Sequence, residues 1–146
     1  RLYELASQVI EKGSELGLTV GTAESCTGGL VAGCLTAVPG SSSVVRGGVV
    51  SYAIPVKHEV LGVSQQVLDE PGVGAVSSEC ACQMAEVAGP GGEEPGKPVG
   101  TVWMGLSTAA GVRSELHRFD GDRAQVRSAA VARALELLSE GLVESS

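Results

Sequence analysis

Aromatic side chains are nearly missing from this chain, with one Trp, one Phe and two Tyr in 146 residues. Its core must therefore be filled by Val, Leu and Ala, within an apolar fraction of 43%. Basic residues are scarce as well: 10 Lys and Arg stand against 17 Asp and Glu, for a formal net charge of −7. An acidic chain without a basic stripe argues against nucleic acid and anionic membrane surfaces as partners, so any bound anion must be held by a local pocket. No apolar run approaches the roughly 20 residues that a membrane span needs. No signal peptide is visible, although the chain begins at Arg1. The four cysteines, Cys26, Cys34, Cys80 and Cys82, contain no C-x-x-C pair. The closest two are separated by one residue, too tight for a usual disulfide and wrong for a zinc knuckle. Reduced thiols in a cytoplasmic protein are the expectation.

What is present reads as one domain, residues 1–146, large enough for a real core. Its 21 glycines form no periodic tract and serve turns and close backbone approaches. Leu2, Leu5, Ala6, Val9 and Ile10 recur at helical spacing, so the chain opens with an amphipathic helix. "LTVGTA" (Leu18 to Ala23) predicts a buried strand, and the apolar run from Leu30 to Ala37 a buried helix. "GGVVSYA" (Gly47 to Ala53) predicts a second strand. Short helices follow over Pro55 to Leu61 and Ser64 to Glu70, then a helix to about Glu86 that opens on a capping-box pattern at Ser77 or Ser78. "VGTVWMGLST" and "VRSELHRF" predict a hairpin joined at "AAG". Ala130, Val131, Ala134, Leu135 and Leu138 mark a closing helix. Helices alternating with strands give an α/β fold, a mixed central sheet with helices on both faces. One place breaks the alternation. The helix ending near Glu86 runs straight into Val87-Ala88-Gly89-Pro90, with no room for the strand that should follow.

The turn "TAESCTGG" (Thr22 to Gly29) places three hydroxyl or thiol side chains, Ser25, Cys26 and Thr27, between a strand and a helix. Backbone N–H groups at a helix start favour a phosphate, a carboxylate or a developing oxyanion. Gly28 and Gly29 let a ligand or a second loop come close. Three readings stay open on the local pattern: Ser25 or Thr27 as a helix cap, Ser25 as a nucleophile, or simple anion binding. Cys26 reads as a small buried residue, since the only histidines, His58 and His117, lie far along the chain. In "VVSYAIPVK", Tyr52 stands at a strand end and Lys57 one turn into the next helix. A lysine in a dry pocket loses its proton more easily and can serve as base to a serine. The plainer alternative is a core tyrosine and a surface lysine. "PGSSSVVRGG" with Arg46, "AGPGG" and "GDR" (Gly121 to Arg123) resemble anion-binding loops, each weak alone.

Together these stretches carry more. "TAESCTGGLVA", "VPGSSSVVRGGVVSYA" with Lys57, "LGV", "AVSSE", "AGPGG", "KPVGTVWMGL" and "FDGDRAQVR" run in order over nearly the whole chain. In this the sequence resembles the CinA C-terminal domain family, the nicotinamide mononucleotide deamidases. The resemblance implies a three-layer α/β/α sandwich and a hydrolase that needs no metal or other cofactor. Its reaction would convert nicotinamide mononucleotide to nicotinate mononucleotide and ammonia, a step of pyridine nucleotide salvage. It implies Ser25 as nucleophile, with Lys57 taking its proton and Tyr52 orienting or relaying it. The turn residues Thr27, Gly28 and Gly29 would face the substrate. Ser41, Ser42, Arg46 and Arg123 are the candidates for its phosphate, with Gly89, Gly91 and Gly92 lining the nucleotide. A homo-oligomer is implied by the resemblance alone.

Two departures stand out. The family often reads S-N-E-A-K after the tyrosine, where this chain has Ala53-Ile54-Pro55-Val56-Lys57. Lysine keeps its spacing but the polar Asn is lost. The family also carries the rest of a helix, a central strand and T-G-x ahead of A-G-P-G-G. About one strand-and-helix's worth of chain is therefore absent between Met84 and Pro90, and a break closed over by the numbering is expected there. A non-catalytic nucleotide-binding or regulatory domain, or an amidase of another small amide, are the competing expectations.

Overall fold

The structure is a computed structural model that describes residues 1–87 and 100–146. Six helices and four strands occur among them: α1 (Leu2–Leu16), β1 (Val20–Glu24), α2 (Leu30–Thr36), β2 (Val45–Val50), α3 (Ile54–Glu59), α4 (Gln65–Asp69), α5 (Ser78–Val87), β3 (Thr101–Thr108), β4 (Gly111–Arg118) and α6 (Arg123–Glu144). The expected elements all form, with ends shifted by one to three residues. Helix α1 buries Ala6, Val9 and Ile10, the face its periodicity marks, and stops at Gly17, whose φ of 66° suits a residue without Cβ. In α6 the capping box is complete: Asp122 accepts from the Gln125 amide at 2.9 Å, and the Gln125 side chain accepts from the Asp122 amide at 2.8 Å. At α5 the expected box reduces to a single cap. Ser77 Oγ accepts from the Cys80 amide at 3.1 Å, and Cys80 has no side chain able to reach back.

Three layers follow from which way successive strand residues point. On β3, Val102, Met104 and Leu106 pack against Val126, Ala130 and Leu137 of α6. The opposite face meets α5 so closely that a Cβ at Gly105 would collide with the Ala81 carbonyl. On β1, Val20 joins the cluster formed by α1, α2 and α6, while Ala23 joins Leu68, Cys80 and Met84 beneath α4 and α5. The α/β/α sandwich is therefore present. Its sheet differs from a single continuous one. β1 pairs in parallel only with β2, and β3 pairs antiparallel only with β4, as two separate pairs among the described residues.

An ion-pair network ties α6 to the outer strand. Arg133 grips Glu115 of β4 with two hydrogen bonds, at 2.7 and 2.9 Å, and also reaches Glu136 and Glu140. His117 bonds the same carboxylate. The Arg133 hydrogen bonds hold the Glu115 carboxyl down at about 2, against partial burial that opposes them. The fork-to-fork geometry makes this pair stronger than a usual surface bridge, while its one-quarter exposure weakens it. Glu115→Gln should lower the unfolding free energy at pH 7 by about 1–2 kcal/mol. Because the folded pKa lies below the unfolded one, the difference between the two proteins should persist down to about pH 4.5 and vanish as pH falls through about 2. Urea unfolding across that range measures it.

Candidate active site

The site is built where the parallel pair ends. β1 and β2 run side by side to Glu24 and Val50, and the ladder continues one step further, with the Ser51 amide donating to the Glu24 carbonyl at 2.7 Å. Two chain segments therefore leave the same end of the sheet together. One is the turn carrying Ser25; the other bends through Ala53 into α3, whose first full turn carries Lys57. Pro55 sits at the start of that helix, where its missing N–H is no loss.

Lys57 is the largest fully buried side chain among the described residues, at 1% exposure. Its Nζ lies 3.0 Å from Ser25 Oγ, 2.6 Å from the Ser51 carbonyl and 3.0 Å from the Tyr52 carbonyl. Burial pushes the Lys57 pKa below the usual lysine value, opposed only in part by the nearby Cys80 and Cys26 thiols. Its three neighbours are two carbonyls and one hydroxyl. Two carbonyls can only accept, and so take two of its N–H groups. The third position faces Ser25, whose hydroxyl can accept from an ammonium or donate to a neutral amine. Ser25 is itself 2% exposed.

The turn that holds Ser25 depends on a residue the sequence reading passed over. Glu24 is buried, at 1% exposure, and its carboxylate accepts from Thr27 Oγ1 at 2.7 Å, from the Val31 amide at 2.8 Å and from the Ala32 amide at 3.1 Å. The N–H groups at the start of α2 are thus already occupied. The expected anion site at that helix start is replaced by an internal carboxylate, and neither Ser25 nor Thr27 caps the helix, whose N-cap is Gly29. Gly28 and Gly29 adopt φ of 59° and 95°, and the Gly28 amide closes the turn onto the Ser25 carbonyl at 2.9 Å. Cys26 packs into the apolar cluster of β3 and α6, as expected of a small buried residue.

Other residues fall in different places. Tyr52 is 60% exposed, and its hydroxyl accepts from Arg123 at 3.1 Å. Its contact with Lys57 is through the backbone carbonyl, so a phenol relay between Ser25 and Lys57 is not what the geometry provides. Arg127, four residues beyond Arg123 on α6, was missed. Its Nε donates to the Cys26 carbonyl at 3.0 Å, which lays a guanidinium over the Ser25 turn. Two arginines in the first turns of a helix oppose its dipole, and that was the available signal. Arg46 sits at the start of β2, about 13 Å along the strand from the end where Ser25 lies, and Ser41 and Ser42 lie in a single 3-10 turn (Ser41–Ser43) just ahead of that strand. Within this chain they do not join the site. Gly89, Gly91 and Gly92 lie outside the described residues. No group of His, Cys, Asp and Glu able to hold a metal occurs among the described residues, and no helix there is long and apolar enough to cross a membrane.

Replacing Glu24 with Gln keeps the shape but sets an NH2 group against a backbone N–H. Glu24→Gln should cost about 2–3 kcal/mol of stability, readable as a lower urea midpoint.

Comparison with known proteins places this geometry. A family model described as the CinA C-terminal domain matches residues 2–87 and 86–142, in two pieces. A CinA-like protein of Syntrophotalea carbinolica is 40% identical over 150 residues, which covers 92% of this chain and 36% of that protein. One from Geobacter metallireducens is 41% identical over 145 residues, covering 88% and 35%. This chain thus spans about a third of the length of those relatives. Among solved structures, the competence/damage inducible protein CihA of Agrobacterium tumefaciens superposes with a TM-score of 0.84 at 41% identity, over 94% of this chain and 93% of that one. The competence damage-inducible protein A (ComA) of Klebsiella pneumoniae does so at 0.90 and 31%, over 100% and 99%. With the fold, the Ser25 turn and the buried lysine all in hand, the chain belongs to the CinA C-terminal domain family.

Proposed function

We propose that this protein is a serine amidase with Ser25 as nucleophile and Lys57 as general base, and that it hydrolyses nicotinamide mononucleotide to nicotinate mononucleotide and ammonia. The observation that carries the reading is the setting of Lys57 Nζ, buried between two carbonyls with the Ser25 hydroxyl as its third neighbour. Such a lysine is held ready to accept a proton, because burial disfavours the ammonium form.

The reaction then runs in two halves. Neutral Lys57 takes the Ser25 proton as Oγ attacks the carboxamide carbon. The oxyanion of the tetrahedral intermediate is held by backbone N–H groups of the turn; the Thr27 amide makes no hydrogen bond of its own among the described residues. Lys57, now an ammonium, returns the proton to the nitrogen as the carbonyl re-forms and the C–N bond breaks, so that ammonia leaves and Ser25 is left as an ester. Lys57 next deprotonates a water that attacks the Ser25 ester, and the carboxylate product is released with Ser25 restored. Arg123 and Arg127 supply the local positive charge that an acidic protein needs to hold the phosphate of the nucleotide. Tyr52, held by Arg123, shapes the mouth of the site rather than moving a proton.

Ammonia release from nicotinamide mononucleotide tests the reading. Ser25→Ala and Lys57→Met should each lower kcat by about 10^3-fold or more. Lys57→Arg should be as inactive, because a guanidinium stays protonated. Tyr52→Phe should change kcat by only about fivefold, the worth of one neutral hydrogen bond. Activity requires the neutral amine, so kcat/KM should rise with pH along a limb whose midpoint lies below 10.5, the ordinary lysine value. Turnover that survives in Ser25→Ala would sink the proposal. A well-folded chain that binds the nucleotide without turnover would point to a non-catalytic nucleotide-binding domain.

A further inference from the structure

A four-residue turn has one peptide unit, the central one, that its own closing hydrogen bond leaves untouched. In the Ser25 turn the Gly28 amide closes onto the Ser25 carbonyl at 2.9 Å, so the central unit joins Cys26 and Thr27. Its carbonyl is the one that Arg127 Nε holds at 3.0 Å. Its N–H belongs to Thr27, which is 3% exposed and whose amide makes no hydrogen bond among the described residues. Buried backbone donors are nearly always paired, so an open one beside a nucleophile marks a place for an acceptor.

The direction of that N–H follows from the carbonyl. In a trans peptide the two groups point opposite ways, and no cis bond occurs among the described residues. The Cys26 carbonyl faces α6, so the Thr27 N–H faces away from it. In such turns a serine side chain at the first residue can reach the amide two residues on. Ser25 and Thr27 stand in that relation. Ser25 Oγ bonds Lys57 instead, which leaves the Thr27 N–H within reach of an atom carried by a group bonded to Oγ.

The central unit is also the one that can rotate. Turning it by about 180° interchanges the two common turn types while the ends stay in place. The flipped form would swing the N–H toward α6 and require a left-handed φ at Thr27, a β-branched residue. No residue other than glycine takes a positive φ among those described. Arg127 opposes the same flip from outside, because it would lose its carbonyl. Packing delivers the guanidinium: Val126, its neighbour on α6, and Ala130 bury in the cluster that holds Cys26. A Cβ on Gly28 would stand 3.1 Å from Arg127 Nη2, so the group lies close against the turn.

We infer that Arg127 is a positioning residue for the oxyanion: through the Cys26 carbonyl it fixes the peptide unit whose N–H, on Thr27, stabilises the tetrahedral intermediate. The inference rests on the reading of Ser25 as nucleophile and Lys57 as base. It gives Arg127 a part in the chemical step that is distinct from supplying charge for the substrate phosphate.

The probe is pyridine-3-boronic acid, which carries the ring of nicotinamide without ribose or phosphate. Ser25 Oγ adds to boron, the Ser25 proton passes to Lys57 and no group leaves. One boronate oxygen then stands where the oxyanion forms. Boron NMR and inhibition of ammonia release from nicotinamide mononucleotide read the adduct. Arg127→Met should lower kcat and weaken boronate binding by about 10- to 100-fold each, the worth of one charge-assisted hydrogen bond. Arg127→Lys should recover most of both losses, since an ammonium can still donate to the carbonyl. Replacing Thr27 by its α-hydroxy acid, which puts oxygen in place of that N–H, should lower kcat by about 10^2–10^3-fold. A raised KM in Arg127→Met, with kcat and boronate binding unchanged, would assign Arg127 to the phosphate alone and overturn the inference. Full activity in the α-hydroxy variant overturns it too, as does Arg127→Lys that binds boronate no better than Arg127→Met. These results leave the Ser25 reading standing, whereas turnover that survives in Ser25→Ala removes both.

Discussion

One buried carboxylate sets the geometry on which the site rests. Glu24 stands at the end of β1, and its two oxygens gather the Thr27 hydroxyl and the first amides of α2. Its own carbonyl accepts from Ser51, which fixes where the second segment leaves the sheet. Strand, turn, helix and neighbouring strand thus meet on one residue. A charge this deep persists only when its lone pairs are taken up, and here backbone and hydroxyl donors take them up. The Ser25 turn is thus held from inside the protein.

The same region holds an inverted charge pattern. The chain as a whole is acidic, yet Arg127 of α6 lies over the Ser25 turn and Arg123, one helical turn before it, reaches Tyr52. Local cations in a negative molecule suit an anionic small ligand better than an extended polyanion, since the overall field repels the latter. Lys57 is tuned by dryness rather than by an adjacent like charge. Its two carbonyl partners orient the amine without donating protons to it.

Architecture and site are separable in this fold. The chemistry collects at one end of the β1–β2 pair. Whatever steadies β1 also steadies the strand that ends at Glu24 and leads into Ser25.

Much of this was written in the sequence. The spacing of Leu2, Ala6, Val9 and Ile10 fixes α1 because a helix with one apolar stripe has one face to bury. The Asp122-x-x-Gln125 pattern fixes where α6 starts, because both bonds of a capping box are local. Turn and spacing made Ser25 and Lys57 candidates, with a helix cap and a surface lysine as the alternatives, and the resemblance of the ordered motifs selected them. Other features were decided only in three dimensions. Whether Lys57 is a solvated cation or a dry amine depends on what encloses it, and that enclosure comes from segments up to 32 residues away. The phenol of Tyr52 turned outward to Arg123, a partner 71 residues distant that no local rule selects. Arg46 looked suited to an anion by composition, but parallel pairing carried it to the far end of the strand. Local order along the chain follows from periodicity and caps, which act over a few residues. Distance, burial and protonation are set by long-range packing, and only the folded chain supplies them.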